Sequence, residues 1–120
     1  MTLKISIVIP CYNSVRFIEK TICSILEQDY PSPQCIVIDG GSNDGTLDIL
    51  KKYEGRIKWI SEKDRGQSDA INKGLKLAEG EIVTYICADD FYEKDSLRKV
   101  ADFFMNNPNR KWVYGKCRIV

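Results

Sequence analysis

Asp89 and Asp90 stand side by side just after residues 82–87, a mostly apolar, β-prone run. Adjacent carboxylates repel each other unless something positive neutralises them. A hard divalent cation does this well, since Mg²⁺ and Mn²⁺ take oxygen ligands and bridge carboxylates to the phosphates of a substrate. Two other segments hold residues of matching chemistry. Tyr12, beside Pro10 and Asn13, offers a ring that can stack on a nucleobase, and Asp39, before a glycine pair, can accept hydrogen bonds from a base or ribose. With a pyrophosphate held through Asp89 and its cation, these parts suit a nucleotide. Plainer alternatives stand beside each role. Asp90 can cap the next helix while Asp89 is a solvated loop acid, Tyr12 can be a rim aromatic, Asp39 can brace the glycine turn, and Asn13 or Ser14 can cap the first helix.

These roles require the three segments to meet, and the hydrophobic pattern predicts how. Residues 3–9 (LKISIVI) and 34–39 (QCIVID) are nearly continuous in apolarity, as strands of a parallel sheet are. The first strand is expected to halt at Pro10. A helix is expected from Ser14 through Val15, Ile18, Ile22, Ile25 and Leu26, and a second through Leu47, Ile49, Leu50 and Tyr53. Residues 56–61 alternate like a half-exposed strand, a third helix is expected at 67–78, and 82–87 form a buried strand ending at the acids. A helix at 93–106 carries Leu97, Val100, Phe103 and Phe104, the two phenylalanines as core, and 111–120 is expected to be a fifth strand. Strands alternating with helices imply an α/β, Rossmann-like, doubly wound and mainly parallel sheet. In such sheets ligands bind beyond the carboxyl ends of the strands, where residues 10–13, 39–42 and 88–90 would converge.

Composition narrows the partners. The chain has 120 residues with 18 Lys and Arg against 17 Asp and Glu, a net charge of +1, so no basic field exists to attract nucleic acid or an anionic membrane. No apolar run approaches the roughly 20 residues that span a bilayer, and a cytoplasmic location is expected. The five cysteines lack C-x-x-C spacing and there is no histidine, so they read as reduced thiols without a zinc site. Gly40-Gly41 lacks the spacing of either common glycine-rich phosphate loop. A phosphoacceptor receiver domain is disfavoured, because its acids would follow strands one and three, where Pro10-Cys11 and Glu62-Lys63 stand.

The runs SIVIPCYN (6–13), SILEQDYP (24–31), VIDGGSNDGT (37–46), DAINKG (69–74), GEI (80–82) and ADDFY (88–92) together resemble the family 2 glycosyltransferases of GT-A fold, over nearly the whole chain. The resemblance implies inverting transfer of a sugar from a nucleoside diphosphate donor, usually a UDP-sugar, with Mg²⁺ or Mn²⁺ on the pyrophosphate. By position, Pro10, Tyr12, Asn13 and Asp39 match the nucleoside-binding region. Asp64 and Asp69 match the loop and helix near base and ribose. Asp89 matches the metal ligand of the D-x-D motif, with Asp90 beside it. The chain departs from the family at Gly40, where a second acid is frequent, and at Cys87, where D-x-D begins with an acid. The resemblance also implies that residues 1–120 are the nucleotide-sugar-binding half of a domain truncated after about five strands. The catalytic base and acceptor pocket would then lie past residue 120, and the isolated piece would be inactive. The acceptor, a saccharide or lipid-linked saccharide, is open. Parts outside this chain would supply any attachment to the inner face of the membrane, and an exposed sheet edge at 111–120 would permit a homo-oligomer. The alternative function is a non-catalytic nucleotide-sugar-binding module.

Overall fold

The structure, a computed structural model, describes residues 3–113. Strands and helices alternate as β1 (Ile5–Cys11), α1 (Ile18–Leu26), β2 (Gln34–Asp39), α2 (Thr46–Lys52), β3 (Lys58–Ser61), α3 (Gln67–Leu77), β4 (Ile82–Tyr85) and α4 (Ser96–Asn106). The sheet is parallel throughout, in the order β3-β2-β1-β4. The chain therefore winds outward from β1 to β3 and returns across β1 to reach β4. That reversal beside β1 opens the crevice at the strands' carboxyl ends.

Both faces of the sheet are covered. Ile5, Ile7 and Ile9 of β1 pack with Ile18, Ile22 and Ile25 of α1, Leu50 of α2 and Leu97 of α4. On the other face Val8, Ile36 and Ile38 pack with Ala70 of α3. These isoleucines are fully buried, and each such side chain contributes about 1.5–3 kcal/mol of burial free energy. The close approach of α3 depends on Gly74, where a Cβ would lie 2.3 Å from Val8 Cγ1.

Several elements differ from expectation. β1 does not halt at Pro10 but runs through it to Cys11. Val8 O accepts from Ile86 N and Cys11 O accepts from Gly40 N, so even-numbered residues face β4 and odd-numbered ones β2. Pro10 thus turns its missing donor to the β4 side, where the register ends at Val8 opposite Tyr85, and no ladder bond is lost. α1 begins at Ile18 rather than Ser14, because residues 15–17 form a turn in which Ser14 O accepts from Phe17 N and Ile18 N. β4 is not the buried strand expected. It stops at Tyr85 with Val83 and Tyr85 41% and 51% exposed, since among the described residues it borders the sheet. Phe103 and Phe104 meet edge to face at 5.4 Å but are only half-buried. Of the expected fifth strand, residues 111–113 are irregular and the remainder lies outside the described residues.

Candidate functional site

A cleft of about 770 Å³ lies at the carboxyl ends of the strands. The end of β1 contributes Pro10, Cys11, Tyr12 and Asn13, and the turn after it Ser14 and Phe17. The loop after β2 adds Gly40 and Gly41, the segment after β3 adds Lys63, Asp64 and Gln67, and the loop after β4 adds Cys87, Ala88 and Asp89. The parallel topology thus joins segments far apart in sequence.

Asp39 is fully buried beneath this cleft. It accepts from Gly41 N at 3.0 Å, Ser42 N at 2.8 Å, Ser42 Oγ at 2.5 Å, Ser61 Oγ at 2.8 Å and Cys11 Sγ at 3.3 Å. Burial alone would raise its pKa, but these donors outweigh it and hold the carboxyl below its usual range. The same arrangement, with burial the larger cause, pushes the Cys11 thiol up. Asp39 braces the glycine turn through these bonds, and it is not among the residues that line the cleft. Asn13, in a left-handed conformation at φ 48°, ties the turns together by donating N–H to Ser42 Oγ at 2.7 Å and accepting from Asn43 N at 2.9 Å. Tyr12 stands 61% exposed at the rim.

Asp69, in the first turn of α3, accepts from Arg65 N at 3.0 Å, and that bond lowers its pKa. It lies outside the cleft lining, whereas Asp64 lies within it. Cys87, Asp89 and Asp90 bring a sulfur and two carboxylate oxygens within 4.8 Å of one another. Two hard oxygen donors are of the type that Mg²⁺ or Mn²⁺ would take, and Asp89 and Asp90 would supply them. Cys87 Sγ also accepts from Gln67 Nε2 at 3.1 Å. Asp90 does not cap α4, which starts at Ser96 behind Asp95.

Sequence reasoning passed over the residues that hold this acid loop. Thr21 Oγ1 donates to Ala88 O at 2.8 Å and Asp90 O at 2.5 Å, Ser24 Oγ accepts from Tyr92 N at 3.0 Å, and Gln28 Nε2 donates to Glu93 O at 2.8 Å. Thr21 and Ser24 on α1 and Gln28 just past its end form one polar row. The signal was present in the SILEQDYP run and in Thr21, a polar residue inside an apolar helical stripe. Phe17 and Gln67 gave no signal apart from the fold.

The family model for glycosyl transferase family 2 matches residues 6–115. The chain belongs to this family. Among its relatives in the family is TuaG of Bacillus subtilis, a glycosyltransferase named for teichuronic acid biosynthesis, 39% identical over 105 residues that cover 84% of this chain and 42% of that protein. A poly-beta-1,6-N-acetyl-D-glucosamine synthase of Staphylococcus epidermidis is 32% identical over 118 residues, 96% of this chain and 29% of the synthase. Among solved structures, Staphylococcus aureus TarS residues 1–349 in complex with UDP-GlcNAc aligns with a TM-score of 0.81 at 33% identity, over 87% of this chain and 32% of that one. The mannosyltransferase PcManGT of Pyrobaculum calidifontis, in complex with GDP-Man and Mn²⁺, aligns at 0.79 with 28% identity, over 87% of this chain and 33% of that one. The fold is that of these family 2, GT-A glycosyltransferases, and the chain spans less than half the length of each.

Proposed function

We propose that this chain is the donor-binding half of an inverting glycosyltransferase, holding a nucleoside diphosphate sugar, most simply a UDP-sugar, in the cleft after β1, β2 and β4. The observation that carries the reading is the meeting, in one cleft, of the exposed ring of Tyr12 and the carboxylate of Asp89, with Asp90 next to it outside the lining. Similar chains bound to UDP-GlcNAc and to GDP-Man with Mn²⁺ support it. In this reading Tyr12 stacks on the base, Pro10 and Asn13 shape the wall, and Asp39 and Asp69 hold the turns that border the donor. Asp89 and Asp90 hold Mg²⁺ or Mn²⁺, which when bound neutralises the diphosphate. The acid loop positions the sugar end of the donor, and the cleft walls exclude water from it. The catalytic base and the acceptor, a saccharide or lipid-linked saccharide, belong to parts of the protein outside this chain. No described helix is long and apolar enough to cross a membrane, and a cytoplasmic location remains part of the proposal.

Calorimetric titration of UDP with and without Mn²⁺ tests the reading. Binding is expected to tighten when the metal is present. UDP binding that is absent, or indifferent to Mn²⁺ and Mg²⁺ alike, would count against the donor and metal roles together.

A further inference from the structure

Two aromatic rings, Tyr12 and Phe17, line the cleft. Both come from the segment after β1, yet hydrogen bonds draw them to opposite sides of it. Asn13, next to Tyr12, is tied to the loop after β2, donating to Ser42 Oγ and accepting from Asn43 N. Phe17 is tied to the loop after β4. Its carbonyl accepts from Thr21 N at 3.3 Å and from Thr21 Oγ1 at 3.4 Å. The same hydroxyl reaches Ala88 O at 2.8 Å and Asp90 O at 2.5 Å, the carbonyls on either side of Asp89. Because β1 lies between β2 and β4 in the sheet, the two rings mark two ends of one cleft.

The backbone fixes where the second ring stands. Phe17 N donates to Ser14 O at 3.0 Å, closing the turn that sets Phe17 at the N-cap position of α1. The Arg16 guanidinium lies over the ring, 5.6 Å from its centre, and steadies it. The side chain is nevertheless 48% exposed and takes no part in either core cluster. A lone apolar side chain on a convex surface is ordinary. A half-exposed ring in the wall of a concave site, beside the acid loop, is a contact surface for a ligand.

We propose that Phe17 holds the sugar of the donor by stacking against the C–H face of a hexopyranose ring. The inference rests on the nucleotide-sugar reading above and assigns a residue to the sugar end. With the base on Tyr12 and the diphosphate at Asp89, the hexose follows the diphosphate on the side of the acid loop where Phe17 stands. The axial C–H groups of a pyranose carry partial positive charge and an aromatic face is negative, so the two attract. Their contact also removes apolar surface from water.

Calorimetry with UDP, UDP-glucose and UDP-N-acetylglucosamine, each with Mn²⁺, tests this on the protein as it stands. At least one of the sugars is expected to tighten binding over UDP. Phe17→Ala is expected to weaken that UDP-sugar about tenfold and to move UDP by less than about twofold. Phe17→Tyr should keep the sugar's gain, and Phe17→Leu, apolar but without a ring, should fall between. Tyr12→Ala should weaken UDP and UDP-sugar alike and keep their ratio. Saturation-transfer NMR with irradiation of the aromatic protons gives a second readout, in which transfer to the sugar C–H protons should vanish in Phe17→Ala while transfer to the uracil protons persists. If UDP binds but neither sugar adds affinity nor receives saturation, the assignment of Phe17 is wrong while the donor reading stands. The same holds if Phe17→Ala and Phe17→Leu leave the UDP-sugar to UDP ratio unchanged. If the unmodified chain binds neither UDP nor a UDP-sugar, both fall together.

Discussion

Thr21→Val is the most informative single change outside the cleft. The substitution keeps the branched shape and replaces a hydroxyl by a methyl group. Thr21 is 1% exposed, and its one hydroxyl hydrogen has Ala88 O at 2.8 Å and Asp90 O at 2.5 Å as near acceptors, with Phe17 O at 3.4 Å. Removing it leaves the carbonyl of Ala88, a buried residue, without that donor, at a cost of about 1–3 kcal/mol. Taking about 2 kcal/mol and roughly 3–5 °C per kcal/mol for a domain of this size, the melting temperature is expected to fall by about 6–10 °C. Part of that loss should be local, because the carbonyls belong to the loop that presents Asp89 and Asp90. The assay is therefore double: thermal unfolding followed by circular dichroism, and UDP affinity with and without Mn²⁺. The metal-dependent gain in affinity should shrink in Thr21→Val and return in Thr21→Ser, while metal-free affinity stays put. A folded Thr21→Val that melts at the lower temperature yet keeps the full metal-dependent gain would refute the idea that α1 sets the acid loop's geometry. An unchanged melting temperature would refute the buried hydrogen bond itself.

Asp89→Asn is expected to abolish the metal-dependent gain in UDP affinity by removing a charged oxygen ligand, and Asp90→Asn to reduce it less. Unaltered metal dependence in both folded variants would remove the pair from the metal site. Tyr12→Ala should weaken UDP by about 1–3 kcal/mol of stacking with little change in melting temperature, since the ring is exposed. Tyr12→Phe should bind nearly as well, and an equal loss in both variants would point to the hydroxyl instead. The carboxyl of Asp39 titrates lower folded than unfolded. Its contribution to stability is thus fully present above the unfolded carboxylate pKa of about 4 and is lost as pH falls through the lower folded value. Asp39→Asn should be less stable at pH 7 and lose less on acidification below pH 4, as read by denaturant unfolding across pH. Parallel curves for the two proteins would show that Asp39 carries no such linkage.

The order of elements was legible in the sequence because apolar periodicity reports burial directly. The runs at 34–39 and 67–78 mark β2 and α3 almost to the residue, and the β-α alternation is enough to bring Tyr12, Gly40 and Asp89 to one edge of a parallel sheet. What one strand or loop does depends on its neighbours, and that was not legible. Pro10 looked like a stop, yet it is harmless where the adjoining strand has already ended. Residues 82–87 looked buried because they are apolar, but exposure follows from β4's place at the border of the described sheet. The same limit applies to the acids. Local sequence shows Asp39, Asp64 and Asp69 as alike, each a carboxylate near a turn. Only the packing of β1, β2 and β3 against each other spends Asp39 on Cys11, Ser42 and Ser61, and only the missing side chain of Gly40 lets Asp64 occupy the cleft. Hydrogen-bond partners tens of residues apart are chosen by tertiary approach, a quantity that no short window of sequence contains.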